Sequence, residues 1–186
     1  DIAICQISGT GKNTQVSVLH FETVSYETSL QHEILKIFAK KDIDFVHLSQ
    51  LNAFLGRFYS FHIQRILNKL NIPPSQIDLI ASHGQTVQHV PQKSVFYQYP
   101  STFQIGDGDH IAQNTGIITI SDFRQKHIAA GGEGAPLALY GDVILFSSSK
   151  TDRILLNLGG IANFTFLPAS NKDKTIDLAK KVKLIA

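Results

Sequence analysis

With 186 residues, 43% of them hydrophobic and 17% charged, the chain has enough apolar material for a packed core, which excludes a disordered tract. A net charge of +2, with Lys and Arg scattered along the chain, provides no basic stripe for nucleic acid. The apolar runs at 143–146 and 153–158 fall far short of the ~20 residues a spanning helix needs, so no membrane segment is expected.

In chain order, 2–7 and 15–21 are short β-rich runs around the polar turn Ser8-Gly9-Thr10-Gly11-Lys12-Asn13, and they read as an antiparallel hairpin. The single cysteine, Cys5, falls in the first apolar alternation and reads as a buried structural thiol. One thiol closes no internal disulfide, which fits a reducing cytoplasm. Ser29 is the expected cap of a helix over 30–39, with apolar Leu30, Ile34, Leu35, Ile37 and Phe38 at helical spacing. A longer helix is predicted over about 48–70 from the stripe Leu51, Phe54, Leu55, Phe58, Phe61, Ile66, Leu67 and Leu70, with Pro73-Pro74 stopping it.

A strand over 77–81 then runs into Ser82-His83-Gly84-Gln85-Thr86, which puts polar side chains at a strand's C-terminal end, where open α/β sheets bind ligands. A short helix at about 109–113 leads through Asn114-Thr115-Gly116 to a strand over 117–120, which ends in Ser121-Asp122-Phe123-Arg124. Beyond Gly131-Gly132-Glu133-Gly134, a helical or irregular segment reaches 146, and 147–150 reads as a linker. Strand-like runs at 153–158 and 163–167 flank Gly159-Gly160-Ile161-Ala162, and the Lys-rich tail from 172 reads as a terminal helix. This order suits one α/β domain followed by the start of another, and no solenoid-type repeat is visible.

Several groups could carry chemistry. His83-Gly84-Gln85-Thr86 combines an imidazole with side chains able to hold sugar hydroxyls or a carboxylate; the bland alternative is that His83 satisfies a loop carbonyl. In extended geometry Asp122 and Arg124 lie on one side of the strand end, either as an ion pair holding the loop or as a guanidinium clamp on an anion. Gly131 and Gly132 could bring backbone amides close to a ligand, or could belong to a plain surface loop. Asn157-Leu158-Gly159-Gly160-Ile161-Ala162-Asn163 could be a phosphate-binding hairpin or an ordinary one with a Gly-Gly turn. No His/Cys metal spacing and no nucleophile elbow occur, so any metal would be a Mg²⁺ held mostly by nucleotide phosphates and water.

Taken together, Ser82-His83-Gly84-Gln85-Thr86-Val87, Thr102-Phe103-Gln104-Ile105-Gly106, Thr115-Gly116-Ile117, Asp122-Phe123-Arg124, Gly131-Gly132-Glu133-Gly134-Ala135-Pro136-Leu137 and the Asn157–Asn163 hairpin closely resemble anhydro-N-acetylmuramic acid kinases in order and spacing. The resemblance runs from Asp1 to about Pro168. It implies an α/β, actin- and hexokinase-like (ribonuclease H-like) lobe, a mixed sheet flanked by helices. Residues 1–150 would be the first, sugar-binding lobe without its first strand and phosphate loop, and 151–186 the first hairpin of the second lobe plus an unassigned tail. The implied reaction uses ATP and Mg²⁺ to open 1,6-anhydro-N-acetylmuramic acid with water and phosphorylate O6, giving N-acetylmuramate 6-phosphate in bacterial cell-wall recycling.

By the same resemblance, His83, Gln85, Thr86, Asp122, Arg124, Gly131 and Gly132 would bind the sugar, with Arg124 and His83 on its lactyl carboxylate. Asp1, Asn157, Gly159, Gly160 and Asn163 would serve the ATP phosphates, with Asp1, as the last acid of the phosphate loop, also near the metal. The family's general base is an Asp in an Asp-Thr-Gly-Pro-Gly-Asn motif that does not occur here; Asp173 and Asp177 lack that context, so no catalytic residue is assigned. His127 and Glu133 depart from the family pattern. The chain neither begins with Met nor contains any, so a truncated piece, inactive alone, is expected. The expected partners are an amino sugar and ATP in the cytoplasm, with a homodimer as the assembly considered. A non-catalytic carbohydrate-binding or regulatory domain is the alternative function, and an acetate or glycerol kinase fits less well at His83–Val87.

Overall fold

The computed structural model describes residues 1–90, 99–158, 162–169 and 183–185. Helices alternate with small sheets, as α/β patterning requires, and the chain divides into two compact units. One comprises Asp1–Ile2 with Glu22–Ala135 and the other Ala3–Phe21 with Pro136–Ala186. Strands β1 (Ile2–Ser8) and β2 (Gln15–Glu22) pair as a two-stranded sheet at the expected positions. Cys5 is exposed. Along β1 it is Ile2 and Ile4 that are partly covered, and the two-residue alternation turns Cys5 the other way, so the expectation of a buried thiol is corrected.

In the first unit, α1 (Thr28–Leu35) starts one residue before the expected cap Ser29 and ends short of 39. The reason for the early stop is a competing partner: Ala39 turns to φ 54 and donates its N–H to the Val87 carbonyl at 2.8 Å instead of continuing a helical ladder. Helix α2 (Phe45–Lys69) begins earlier than its apolar stripe because Asp44 caps it, its carboxylate accepting from Val46 N (2.8 Å) and His47 N (3.2 Å). It ends in a Schellman turn: Asn71, at φ 55, donates to the Asn68 carbonyl and Ile72 donates to the Leu67 carbonyl, just before Pro73. Leu48, Leu51, Leu55, Ile66 and Leu67 are buried, whereas Phe54 and Phe61 of the expected stripe are exposed.

The core of this unit packs Leu30, Ile34 and Ile37 against Leu48, Leu51 and Leu55, with Val87 and Ile105 from a second sheet beneath. Fully burying each such side chain contributes about 1.5–3 kcal/mol. Strands β3 (Ile80–Ala81), β4 (Gln85–Val90) and β5 (Ser101–Ile105) come next, then α3 (Gly108–Thr115), β6 (Thr119–Ile120) and α4 (Phe123–Ala129). Strands β3 and β6 pair in parallel, Ile80 with Thr119 and Ala81 with Ile120, and are shorter than the runs expected over 77–81 and 117–120. Strands β4 and β5 form an antiparallel pair with a bulge between Thr86 and Gln88, which leaves Val87 to turn into the core.

The second unit adds α5 (Ala138–Phe146), β7 (Arg153–Leu158), β8 (Ala162–Leu167) and β9 (Lys183–Ile185). Strand β8 lies between β7 and β9, antiparallel to both, and Thr165 on β8 donates to the Asp142 carboxylate of α5 at 3.0 Å. The expected terminal helix is corrected at 183–185, which add a strand to this sheet; the expected tail from 172 to 182 lies outside the described residues. No described helix is long and apolar enough to cross a membrane.

At the end of β2, Glu22 bridges two cations of α2, accepting from Arg65 and, at 3.2 Å, from Lys69. The Arg65 bond first, then the Lys69 bond, hold its carboxyl down at about 2, against an ordinary 4.5. A depressed carboxylate stabilises the fold fully above the unfolded pKa, and that contribution is lost as pH falls from about 4.5 through about 2. Melting temperature followed over this window should therefore fall more steeply in the native sequence than in Glu22→Gln, and less so in high salt, which screens exposed charges. Parallel profiles in the two proteins would show that the bridge contributes nothing.

Candidate functional site

The parallel pair β3–β6 stops in register at Ala81 and Ile120, with Ser82 N–H bonded to the Ile120 carbonyl at 2.8 Å. Ser82-His83-Gly84 and Ser121-Asp122 therefore leave the sheet side by side, the placement the sequence predicts for a ligand crevice. The turn Gly106-Asp107-Gly108, between β5 and α3, closes a third side, and with Asn52 of α2 and Gln125 of α4 these segments line a cleft of about 290 Å³. Gly106 has φ +105, and a Cβ there would lie 2.4 Å from the Tyr59 ring. Only glycine can let the chain pass so close to the ring.

His83 and Arg124 meet, as the sequence reading expects of two polar strand ends at one edge. Arg124 Nε donates to His83 Nε2 at 2.7 Å, and Arg124 Nη1 donates to the Gly134 carbonyl at 2.8 Å. A guanidinium only donates, so Nε2 must accept; the imidazole proton then sits on Nδ1 and bonds the Gly84 carbonyl at 3.0 Å. Burial draws the Arg124 pKa below its ordinary value. The extended geometry expected for Asp122 and Arg124 is corrected. Asp122 adopts φ 62 as the N-cap of α4, Arg124 lies in the first helical turn, and no ion pair joins them among the described residues. The two-residue alternation fails because the chain coils into a helix at Asp122.

The other expected site residues are distributed as follows. Asp122 lines the cleft and makes no cap bond. Gln85 accepts from Tyr26 Oη at 3.5 Å, Thr86 accepts from Gln104 Nε2 at 3.3 Å, and neither lines the cleft. The Gly131 and Gly132 amides close α4 in a second Schellman turn, bonding the carbonyls of Ile128 (2.8 Å) and His127 (2.9 Å). His127 then accepts from Gly134 N at 3.2 Å. Asp1 accepts from the Thr23 hydroxyl at 2.7 Å. Asn157 and Asn163 are direct partners across β7–β8, while Gly159 and Gly160 lie outside the described residues. Among the described residues no group of three or more His, Cys, Asp or Glu side chains is placed to hold a metal ion. An exposed single carboxylate such as Asp1 suits Mg²⁺ that takes most of its ligands from phosphates and water.

Sequence reasoning passed over Asn52, Asp107, Asp109 and Gln125, which also line the cleft. The available signal was Gly-Asp-Gly ahead of a helix: Asp107 caps α3, accepting from Asp109 N at 2.8 Å and His110 N at 3.4 Å. Three carboxylates with amides and hydroxyls make a wall suited to neutral hydroxyl groups and unsuited to phosphate. A family model described as anhydro-N-acetylmuramic acid kinase matches residues 1–180.

The chain belongs to the anhydro-N-acetylmuramic acid kinase family. The resemblance carried by the motifs from Ser82 to Asn163 is thereby borne out. Among curated relatives named anhydro-N-acetylmuramic acid kinase, that of Pseudoalteromonas translucida (strain TAC 125) is 49% identical over 180 residues, covering 95% of this chain and 44% of the relative. The Pseudoalteromonas atlantica protein is 50% identical over 172 residues, covering 91% and 43%. That of Caldanaerobacter subterraneus subsp. tengcongensis is 39% identical over 170 residues, covering 90% and 43%. This member of the anhydro-N-acetylmuramic acid kinase family thus spans less than half the length of the relatives it matches.

Proposed function

We propose that these residues provide the sugar-binding side of an ATP-dependent kinase with the actin- and hexokinase-like fold, acting in the cytoplasm on 1,6-anhydro-N-acetylmuramic acid. Residues 1–150 would form the first lobe and 151–186 the start of the second. The observation that carries the reading is the cleft at the ends of β3 and β6, with the His83–Arg124 pair at its edge; the family match supports it. In the reaction, water adds to the anomeric carbon, the bond from that carbon to O6 breaks, and O6 takes the γ-phosphoryl group as ADP leaves. The water's proton goes to a base that the family carries in a motif outside these 186 residues.

The roles divide by chemistry. Arg124 would pair with the lactyl carboxylate, and His83 would hold the guanidinium in place through Nε2. Asp122 would accept from sugar hydroxyls. Gln85 and Thr86 would steady β4 behind the cleft, while Gly131 and Gly132 would set the course of the chain to the Gly134 carbonyl. Asn157, Gly159, Gly160 and Asn163 would serve nucleotide phosphates, and Asp1 would be one ligand of Mg²⁺. Bound there, the ion would offset charge on the phosphate oxygens. The complete polypeptide, given ATP, Mg²⁺ and the anhydro sugar, should form ADP and sugar 6-phosphate in equal amounts. ADP release that is the same with and without the sugar would overturn the reading.

A further inference from the structure

Asn52 is a polar residue on a helix whose neighbours Leu51 and Leu55 are buried, and it lines the cleft. Two obligate donors hold it in place. The Gly106 N–H lies 2.8 Å from Asn52 Oδ1, and the Asp107 N–H bonds the Asn52 backbone carbonyl at 3.3 Å. A backbone N–H cannot accept, so the carboxamide oxygen must face Gly106 and its NH₂ group must be the opposite end. Among the described residues that NH₂ group has no hydrogen-bond partner. The result is a donor on a rigid helix, oriented by a turn that also lines the cleft.

We propose that Asn52 contacts the sugar directly, its Nδ2 donating to an uncharged oxygen, a hydroxyl or an amide carbonyl, on the face of the sugar away from its carboxylate. This rests on the reading of the cleft as a sugar site. The charge pattern selects the kind of oxygen. Asp107, Asp109 and Asp122 share the cleft with Asn52, so an anionic group beside Asn52 would meet like charge, whereas the guanidinium of Arg124 is bonded to His83 at the cleft's edge. Asn52 thereby reads the neutral part of the ligand and Arg124 its charged part.

The decisive variant is Asn52→Asp in the complete polypeptide, because it keeps an acceptor for the Gly106 N–H while replacing the NH₂ donor with a carboxylate oxygen and one negative charge; Asn52→Ser, which removes the NH₂ donor without adding charge, should lose sugar affinity in the same direction. Affinity for 1,6-anhydro-N-acetylmuramic acid should fall by roughly tenfold or more. ATP affinity and melting temperature should stay put, and the Gly106 amide should remain hydrogen-bonded and protected from exchange. In the native protein the side-chain NH₂ resonance of Asn52 should move as this sugar is titrated, a measurement that does not depend on the variant folding. Sugar affinity in Asn52→Asp within twofold of native, an NH₂ resonance that ignores bound sugar, or a joint loss of sugar binding, ATP binding and thermal stability would each overturn the role of Asn52 alone. A native protein that binds ATP and shows no sugar binding would overturn the sugar reading and the role of Asn52 with it.

Discussion

Replacing Arg124 by leucine in the complete kinase should weaken sugar binding by roughly 10- to 100-fold, since a hydrogen bond to a charged group is worth about 1.5–3 kcal/mol. Nucleotide affinity should be unchanged, because Arg124 is assigned to the sugar's carboxylate and not to the phosphates. Arg124→Lys should fare little better. Two edges of the guanidinium are already fixed, one on His83 and one on the Gly134 carbonyl, and an ammonium group on a flexible stem cannot hold both while also meeting a carboxylate. Calorimetric titration of sugar and of ATP, each alone, measures both affinities. Native-like sugar affinity in Arg124→Leu would remove Arg124 from the site.

A single methyl group at Gly106 should be among the most damaging changes in the first unit. A Cβ there would stand 2.4 Å from the Tyr59 ring, on a backbone at φ +105 that side chains rarely adopt. Backbone strain of about 1–3 kcal/mol adds to overpacking of about 1–3 kcal/mol. Gly106→Ala should therefore lower the melting temperature by about 10 °C, at roughly 2–4 °C per kcal/mol. Pairing it with Tyr59→Ala should relieve the steric part and leave the backbone part. A melting temperature within 2 °C of native, about one kcal/mol at most, would contradict the close approach.

The sequence disclosed what periodicity and chain order govern and hid what distant partners govern. Leu51, Leu55, Ile66 and Leu67 announce α2 because they recur at helical spacing, yet its start is set by Asp44, outside that stripe. The meeting of His83 with Arg124 was legible because two strands ending at one edge bring their polar ends together. The turn at Asp122 was not, since a left-handed non-glycine residue leaves no periodic trace. The pair β4–β5 escaped notice because Gln85–Val90 is largely polar and its bulge at Val87 breaks the alternation. Asn52 looked like any polar residue of a helix, because the amide that orients it belongs to Gly106, 54 positions along the chain.

The division of the chain into units also constrains its synthesis. Ala3–Phe21 shares a compact unit with Pro136–Ala186, and the whole of Glu22–Ala135 lies between them. As the polypeptide leaves the ribosome, this hairpin emerges before Glu22–Ala135 and its partners after it. At roughly 5–20 residues per second the wait is on the order of ten seconds. Over that interval the hairpin strands have no finished unit to join, while Glu22–Ala135 can assemble its own core around Leu55. This hairpin is thus made before the rest of its unit and secured only when that rest is complete, and a nascent chain halted before Pro136 leaves it without those partners.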